Sequence, residues 1–150
     1  MGYATGGRRD LRTQVIHNDF NPGNVLITEA QPPAVAGVID FGDMLRAPLV
    51  IDLAIAASYF REIDDELAGT RSLVAGFDSI IPLQHVERDI LFELIRMRLA
   101  TTITILHWRA SARSSDDPYL KKALQERSAE RFLLHLSALG SESFSRTVFA

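Results

Sequence analysis

The sequence predicts an α+β fold, a short β-hairpin region followed by a mainly α-helical bundle. Three observations point to it. Residues 14 to 48 hold short apolar, β-branched runs broken by Asn, Asp, Pro and Gly. From Leu49 onward the apolar residues recur at helical spacing. The two regimes follow one another instead of alternating, so the elements are segregated.

Taken in order, residues 1–13 are rich in Gly and Arg with few apolar anchors and read as a flexible arm. Gln14 to His17 carries the apolar pair Val15 and Ile16, a short buried strand. Asn18 to Gly23 is a loop, since Asn, Asp, Pro and Gly each supply a turn conformation. Asn24 to Thr28 is largely β-branched and apolar; Glu29 to Pro33 turns the chain, and Ala34 to Ile39 returns as its hairpin partner. Asp40 to Pro48 reads as a polar loop. Leu49 opens a helix apolar around most of its circumference, hence buried. Further helices are expected over Asp64 to Phe77, with Asp64, Asp65 and Glu66 at its start, and over Val86 to Ala110, with Pro82 as an early helix residue and Trp108 in the core. Ser111 to Asp117 is a polar break, and Pro118 opens a last helix to about Leu139 that Gly140 caps. The domain reading is thus a flexible arm at 1–13 and a single lobe at 14–150, with its loops and strands at 14–48 and its helical region at 49–150.

Composition narrows the function. With 150 residues, 47% hydrophobic and 23% charged, the chain suits one soluble globular domain. A net charge of -3 without clustered Lys and Arg gives no nucleic-acid surface. There are no cysteines, which excludes disulfides and thiolate metal sites. No signal peptide and no run of about 18 apolar residues is seen, so a cytoplasmic protein with no membrane partner is expected.

The chemistry concentrates in three pieces: His17-Asn18-Asp19 followed by Asn24, then Asp40-Phe41-Gly42-Asp43 directly after a strand, then Asp52 at the head of a buried helix. Asp19, Asn24 and Asp40 offer oxygen ligands only. Such a set suits Mg²⁺, which takes one or two carboxylates and completes its shell with water and substrate phosphates. The intervening hairpin returns the chain to its start, which brings Asn24 and Asp40 towards one ion.

H-x-D-x-x-x-x-N, a hairpin and D-F-G resemble the catalytic and metal-binding signature of protein-kinase-like phosphotransferases. The surrounding VIHNDFNPGNVLI and GVIDFGDMLRAPLVIDLAIAASYF resemble the aminoglycoside phosphotransferase and choline kinase branch, with DFGDM most similar to its hydroxylysine-kinase-like members. The match covers roughly residues 14 to 60. It implies a protein-kinase-like C-terminal lobe that moves the γ-phosphate of ATP or GTP to a hydroxyl of a small molecule, an amino alcohol or aminoglycoside-like compound. It makes Asp19 the catalytic carboxylate, Asn24 and Asp40 the Mg²⁺ ligands, and His17 and Asp52 structural supports of the catalytic loop. Asp43 becomes an auxiliary metal or substrate contact. Arg98 and Arg109 on the long helix could face the acceptor cleft.

The same signature requires a Gly-rich loop and a strand lysine, yet the only lysines are Lys121 and Lys122, and Gly2, Gly6 and Gly7 lack the G-x-G-x-x-G spacing. Arg8, Arg9 and Arg12 could touch phosphate, with no scaffold to fix them. The nucleotide-binding N-terminal lobe is therefore expected to be absent, and the apolar surface it would cover favours a complementary lobe or a symmetric homodimer. Two other readings compete: a non-catalytic remnant or interaction module of the same fold, and a metal-dependent phosphohydrolase.

Overall fold

Four short strands and then six α-helices make up the described residues, 11–61, 67–112 and 118–150, of a computed structural model. The strands form two separate antiparallel ribbons. β1 (Thr13–Ile16) pairs with β4 (Leu45–Pro48), and β2 (Val25–Ile27) pairs with β3 (Val35–Val38). The β2–β3 hairpin is closed at its turn by Thr28, whose amide donates to Ala34 O at 2.8 Å while its Oγ1 accepts from the Ala34 amide at 3.0 Å. At the opposite end the Ile39 amide donates to Asn24 O at 3.0 Å. Residues 24 and 39–40 are thus brought to one end of the hairpin.

The segment Asp40 to Pro48 is not the plain loop its composition suggests. It holds a 3-10 turn at Phe41–Asp43 and then β4, in register with β1 from Thr13↔Pro48 to Ile16↔Leu45. Leu-Arg-Ala-Pro has no strand pattern of its own; a partner about thirty residues upstream in the chain makes it one. Pro48 stands at the end of the ladder, where a missing N–H costs nothing.

The helices are α1 (Val50–Ala57), α2 (Ala68–Ile80), α3 (His85–Ala112), α4 (Pro118–Glu126), α5 (Ser128–Leu139) and α6 (Ser141–Val148). α3 is the axis, packed by α1, α4, α5 and α6. Its Leu91, Ile95 and Leu99, one turn apart, are fully buried, each worth about 1.5–3 kcal/mol of transfer out of water. Phe92 meets Phe144 of α6 at a ring separation of 5.2 Å.

Several expectations are corrected here. Pro82 precedes α3 instead of opening it: the helix starts at His85, after Gln84 O has accepted from the Glu87 and Arg88 amides. The expected last helix, Pro118 to about Leu139, is two, and a further helix follows it. Arg127, at φ 48°, breaks it between α4 and α5, and Gly140, at φ 78°, both caps α5 and precedes α6. Trp108 is 66% exposed and so lies outside the core. α2 begins within the described residues at Ala68; the expected helix start at Asp64 to Glu66, most of the Ser111 to Asp117 break, and Arg8 and Arg9 lie outside them.

Of the arm read over 1–13, Leu11 to Thr13 are described, and Arg12 has a firm scaffold. Its Nε donates to Glu87 Oε1 at 2.9 Å, its Nη2 to Glu87 Oε2 and to Pro82 O, and its own carbonyl accepts from the Leu49 amide. This clamp ties the entry of β1 to the first turn of α3.

Among the described residues no helix is long and apolar enough to cross a membrane.

Candidate active site

β1 ends in the buried Ile16, and the chain then turns sharply at Asn18, whose φ is 64°. Asn tolerates this left-handed conformation better than most residues with a side chain. The turn is held from below by Asp52 in the first turn of α1. Its Oδ2 accepts from the His17 amide at 2.8 Å and its Oδ1 from the Asn18 amide at 2.7 Å. One carboxylate therefore satisfies two consecutive backbone donors that no strand or helix pairs.

His17 is buried between Phe20 and Phe41, with ring separations of 5.8 and 5.1 Å. The Asp19 amide donates to its Nδ1 at 3.4 Å, which leaves Nε2 to carry the proton and donate to Ile39 O at 2.9 Å. The imidazole links the loop that carries Asp19 to the residue just before Asp40.

Asp19 is held on all sides. Arg98 of α3 donates from Nη2 to Oδ1 at 2.8 Å, and the Asn21 amide group donates to Oδ2 at 3.0 Å and to the Asp19 carbonyl at 3.1 Å. Asn24 donates from Nδ2 to the Asp19 carbonyl at 2.9 Å and, more weakly, to Oδ2 at 3.4 Å. Arg98 and Asp19 side chains are 27% and 28% exposed, so the pair is only partly screened by solvent.

These bonds orient Asn24. Because its nitrogen is committed to Asp19, its Oδ1 faces the other way and takes no hydrogen bond among the described residues. Asp40, at the same end of the hairpin, adopts φ 63° and carries an exposed carboxylate that caps nothing. An amide oxygen and a carboxylate, both without protein partners, are an all-oxygen set that fits a hard divalent cation sharing its shell with water and phosphate. Among the described residues no three His, Asp or Glu gather as a complete metal cage. A cation here would draw its remaining ligands from water and substrate.

A cavity of about 440 Å³ opens beside Asp19, lined by Asn18, Asn21, Asp43 and Tyr59 on one side and by Arg98, Thr101, Thr102, Ile105, Leu106 and Arg109 of α3 on the other. Asn24 and Asp40 are not part of this lining. The structure thus brings Asp19 together with Asp43, Arg98 and Arg109, and sets Asn24 with Asp40 at the neighbouring hairpin end. The sequence reading left out Asn21, although Asn before Pro-Gly is a turn-initiating signal: it caps the 3-10 turn Pro22–Asn24 by accepting from the Gly23 amide at 2.8 Å.

The profile of the phosphotransferase enzyme family matches residues 4–80, just over half of the chain. A hydroxylysine kinase of Xenopus laevis is 27% identical over 147 residues, covering 93% of this chain and 39% of the relative. One from Danio rerio is 29% identical over 142 residues with the same coverages, 93% and 39%. A homoserine kinase of Gluconacetobacter diazotrophicus is 35% identical over 88 residues, 57% of this chain and 26% of the relative. The chain spans about two fifths of the length of the hydroxylysine kinases it matches. No solved structure matches it significantly.

Proposed function

The chain belongs to the phosphotransferase enzyme family, and from that membership we propose that its Asp19 cleft accepts the terminal phosphoryl group of a nucleoside triphosphate, ATP or GTP, onto a hydroxyl of a small molecule. The observation that carries this reading is the fixed Asp19 carboxylate at the cavity wall, with two partnerless oxygen donors, Asn24 Oδ1 and Asp40, at the adjoining hairpin end.

In this reading the acceptor hydroxyl lies against Asp19. Its oxygen forms the new bond to phosphorus as the bond to the diphosphate leaving group breaks, and Asp19 orients the hydroxyl and takes up its proton. Phosphoryl transfer passes through a loose transition state, so positioning and charge neutralisation matter more than a strong base. Asp19 Oδ1, which accepts one hydrogen bond, retains a lone pair for the hydroxyl. Asn24 and Asp40 would hold Mg²⁺, which when bound neutralises charge on the nucleotide phosphates. Asp52 and His17 keep the loop in place. Arg98 fixes the plane of the Asp19 carboxylate.

The nucleotide is gripped, on this proposal, by a complementary lobe outside these 150 residues. Val15, Ile27, Val35, Phe41 and Met44 are exposed large apolar side chains on the strands and the turn after β3; in this reading they meet that lobe, and self-association is the outcome without it.

The test is a coupled assay of the chain joined to its nucleotide-binding lobe, with MgATP or MgGTP and a panel of small alcohols. Turnover that requires a hydroxyl acceptor and disappears in Asp19→Asn supports the reading. Phosphate release from simple esters without nucleotide sinks it.

A further inference from the structure

Asp19 is gripped by two carboxamides that make the same pair of contacts. Asn24 Nδ2 donates to the Asp19 carbonyl at 2.9 Å and to Oδ2 at 3.4 Å. Asn21 Nδ2 donates to the same carbonyl at 3.1 Å and to the same Oδ2 at 3.0 Å. The sense of the Asn21 amide is forced. Its Oδ1 accepts from the Gly23 amide at 2.8 Å, and a reversed group would set that oxygen against two Asp19 oxygens. Asn21 lines the cavity beside Asp19, whereas Asn24 does not. The acceptor positions on Asp19 are therefore used unevenly. A carboxylate offers about four of them, two on each oxygen. Oδ2 takes Asn21 and, more weakly, Asn24, so both of its positions are committed. Oδ1 takes Arg98 alone, at 2.8 Å. The two sets of donors come from different elements, α3 for one oxygen and the loop for the other. With Arg98 alone the carboxylate could swing about Oδ1; the Asn21 bond on the second oxygen removes that freedom.

We propose that Asn21 is a positioning residue for phosphoryl transfer: it occupies Oδ2 from the loop, fixes the rotation of the Asp19 carboxylate, and leaves Oδ1 as the atom that meets the acceptor hydroxyl. The inference rests on the Asp19 cleft being the acceptor site. The hydroxyl proton passes to Oδ1 as the hydroxyl oxygen bonds to phosphorus and the diphosphate leaves. Asn21 acts through Asp19 and touches neither reacting oxygen. A hydrogen bond to the non-reacting oxygen still matters, because a near-attack arrangement tolerates little misplacement.

Asn21 also caps its own turn, so the experiment has to separate the two duties. Asp and Ser both cap such turns. Asn21→Asp keeps the acceptor for the Gly23 amide but sets a carboxylate oxygen against Oδ2 where the amide donated. Asn21→Ser keeps a shorter cap, and its hydroxyl ends one bond nearer the backbone than the Asn21 nitrogen. In the chain joined to its nucleotide-binding lobe, kcat should fall about tenfold or more in Asn21→Ser. It should fall further in Asn21→Asp, where like charges turn Asp19 away. KM for the acceptor and for MgATP should stay within about twofold, the pattern of an interaction that matters only in the transition state. The Gly23 and Asn24 amide signals of the ¹⁵N-labelled protein should show the turn intact in both variants. Wild-type kcat in both overturns the inference, since capping is then all that Asn21 supplies. So does a rise in KM at unchanged kcat, or a loss of kcat seen only where the Gly23 and Asn24 signals are displaced. If the wild type shows no turnover that Asp19→Asn removes, the phosphotransfer reading itself is lost and this inference with it.

Discussion

Arg98 donates a 2.8 Å hydrogen bond to Asp19 across 79 residues of sequence, joining the middle of the longest helix to the loop that follows the first strand. The bond sets where the carboxylate plane lies relative to the cavity, and both groups are partly shielded from water. Asp19→Asn should lower kcat by about 10²–10⁴-fold with a smaller change in KM, the range for loss of a positioned proton acceptor. Arg98→Met should lower kcat by about tenfold or more, and Arg98→Lys should fall between, because an ammonium keeps the charge but not the planar fork. Steady-state rates on the lobe-complemented enzyme decide this; wild-type kcat in Arg98→Met would remove its positioning role.

Asp52 carries the two amides that begin the loop. In Asp52→Asn one of the two acceptors becomes a donor facing a backbone N–H, so a loss of about 1–3 kcal/mol in stability is expected. Hydrogen exchange is the specific readout. Protection of the His17 and Asn18 amides should fall in the variant, while that of the α3 core around Leu91 and Ile95 stays in step with global stability.

Glu87 makes stability depend on acid. Burial pushes its carboxyl up, but the Arg12 hydrogen bond, the Gln84 amide and the Arg12 charge together hold it below its ordinary value. A carboxylate whose folded-state pKa is depressed contributes stability in full above its unfolded value, about 4.3, and loses it as the pH falls through the folded value. Urea midpoints measured from pH 7 to pH 3 should therefore drop below about pH 4.3, and the drop should be smaller in Glu87→Gln. The slope will not vanish. Asp78 is also held low, by the Leu83 amide against an opposing burial effect and with help from Arg88.

Gly69 is required by its neighbour. A Cβ there would lie 2.4, 2.7 and 2.8 Å from Phe60 Cδ1, Cγ and Cβ. Alanine gains about 1 kcal/mol of helix propensity over glycine, but three contacts this short on a ring root cannot be relieved by a rotamer change, and overpacking of this kind costs about 1–3 kcal/mol. Gly69→Ala should be less stable than wild type in urea. The double variant with Phe60→Ala should show a smaller penalty for the alanine than the wild-type background does.

The hairpin was legible in sequence because Asn24 to Thr28 and Ala34 to Ile39 carry their own β-branched signal, and the motif residues were legible because they sit close together in the chain. What escaped depends on distant partners. β4 exists through β1, and Arg12 finds Glu87 75 residues away. The helix break at Arg127 has neither Gly nor Pro to announce it. α6 reads as polar, yet Phe144 and Val148, one turn apart, deliver it to the core. Arg98 could be placed on the long helix from the sequence, but not bonded to Asp19. Tertiary packing alone specifies that pairing.

Each ribbon has only two strands, so among the described residues every strand has a neighbour on one side and a bare line of amides and carbonyls on the other. A pair of such ribbons is marginal in water by itself, and its outer backbone is a template on which another extended segment can register. Expression at high concentration should thus favour stacking along these open margins, and a short β-strand peptide offered in excess should compete with it.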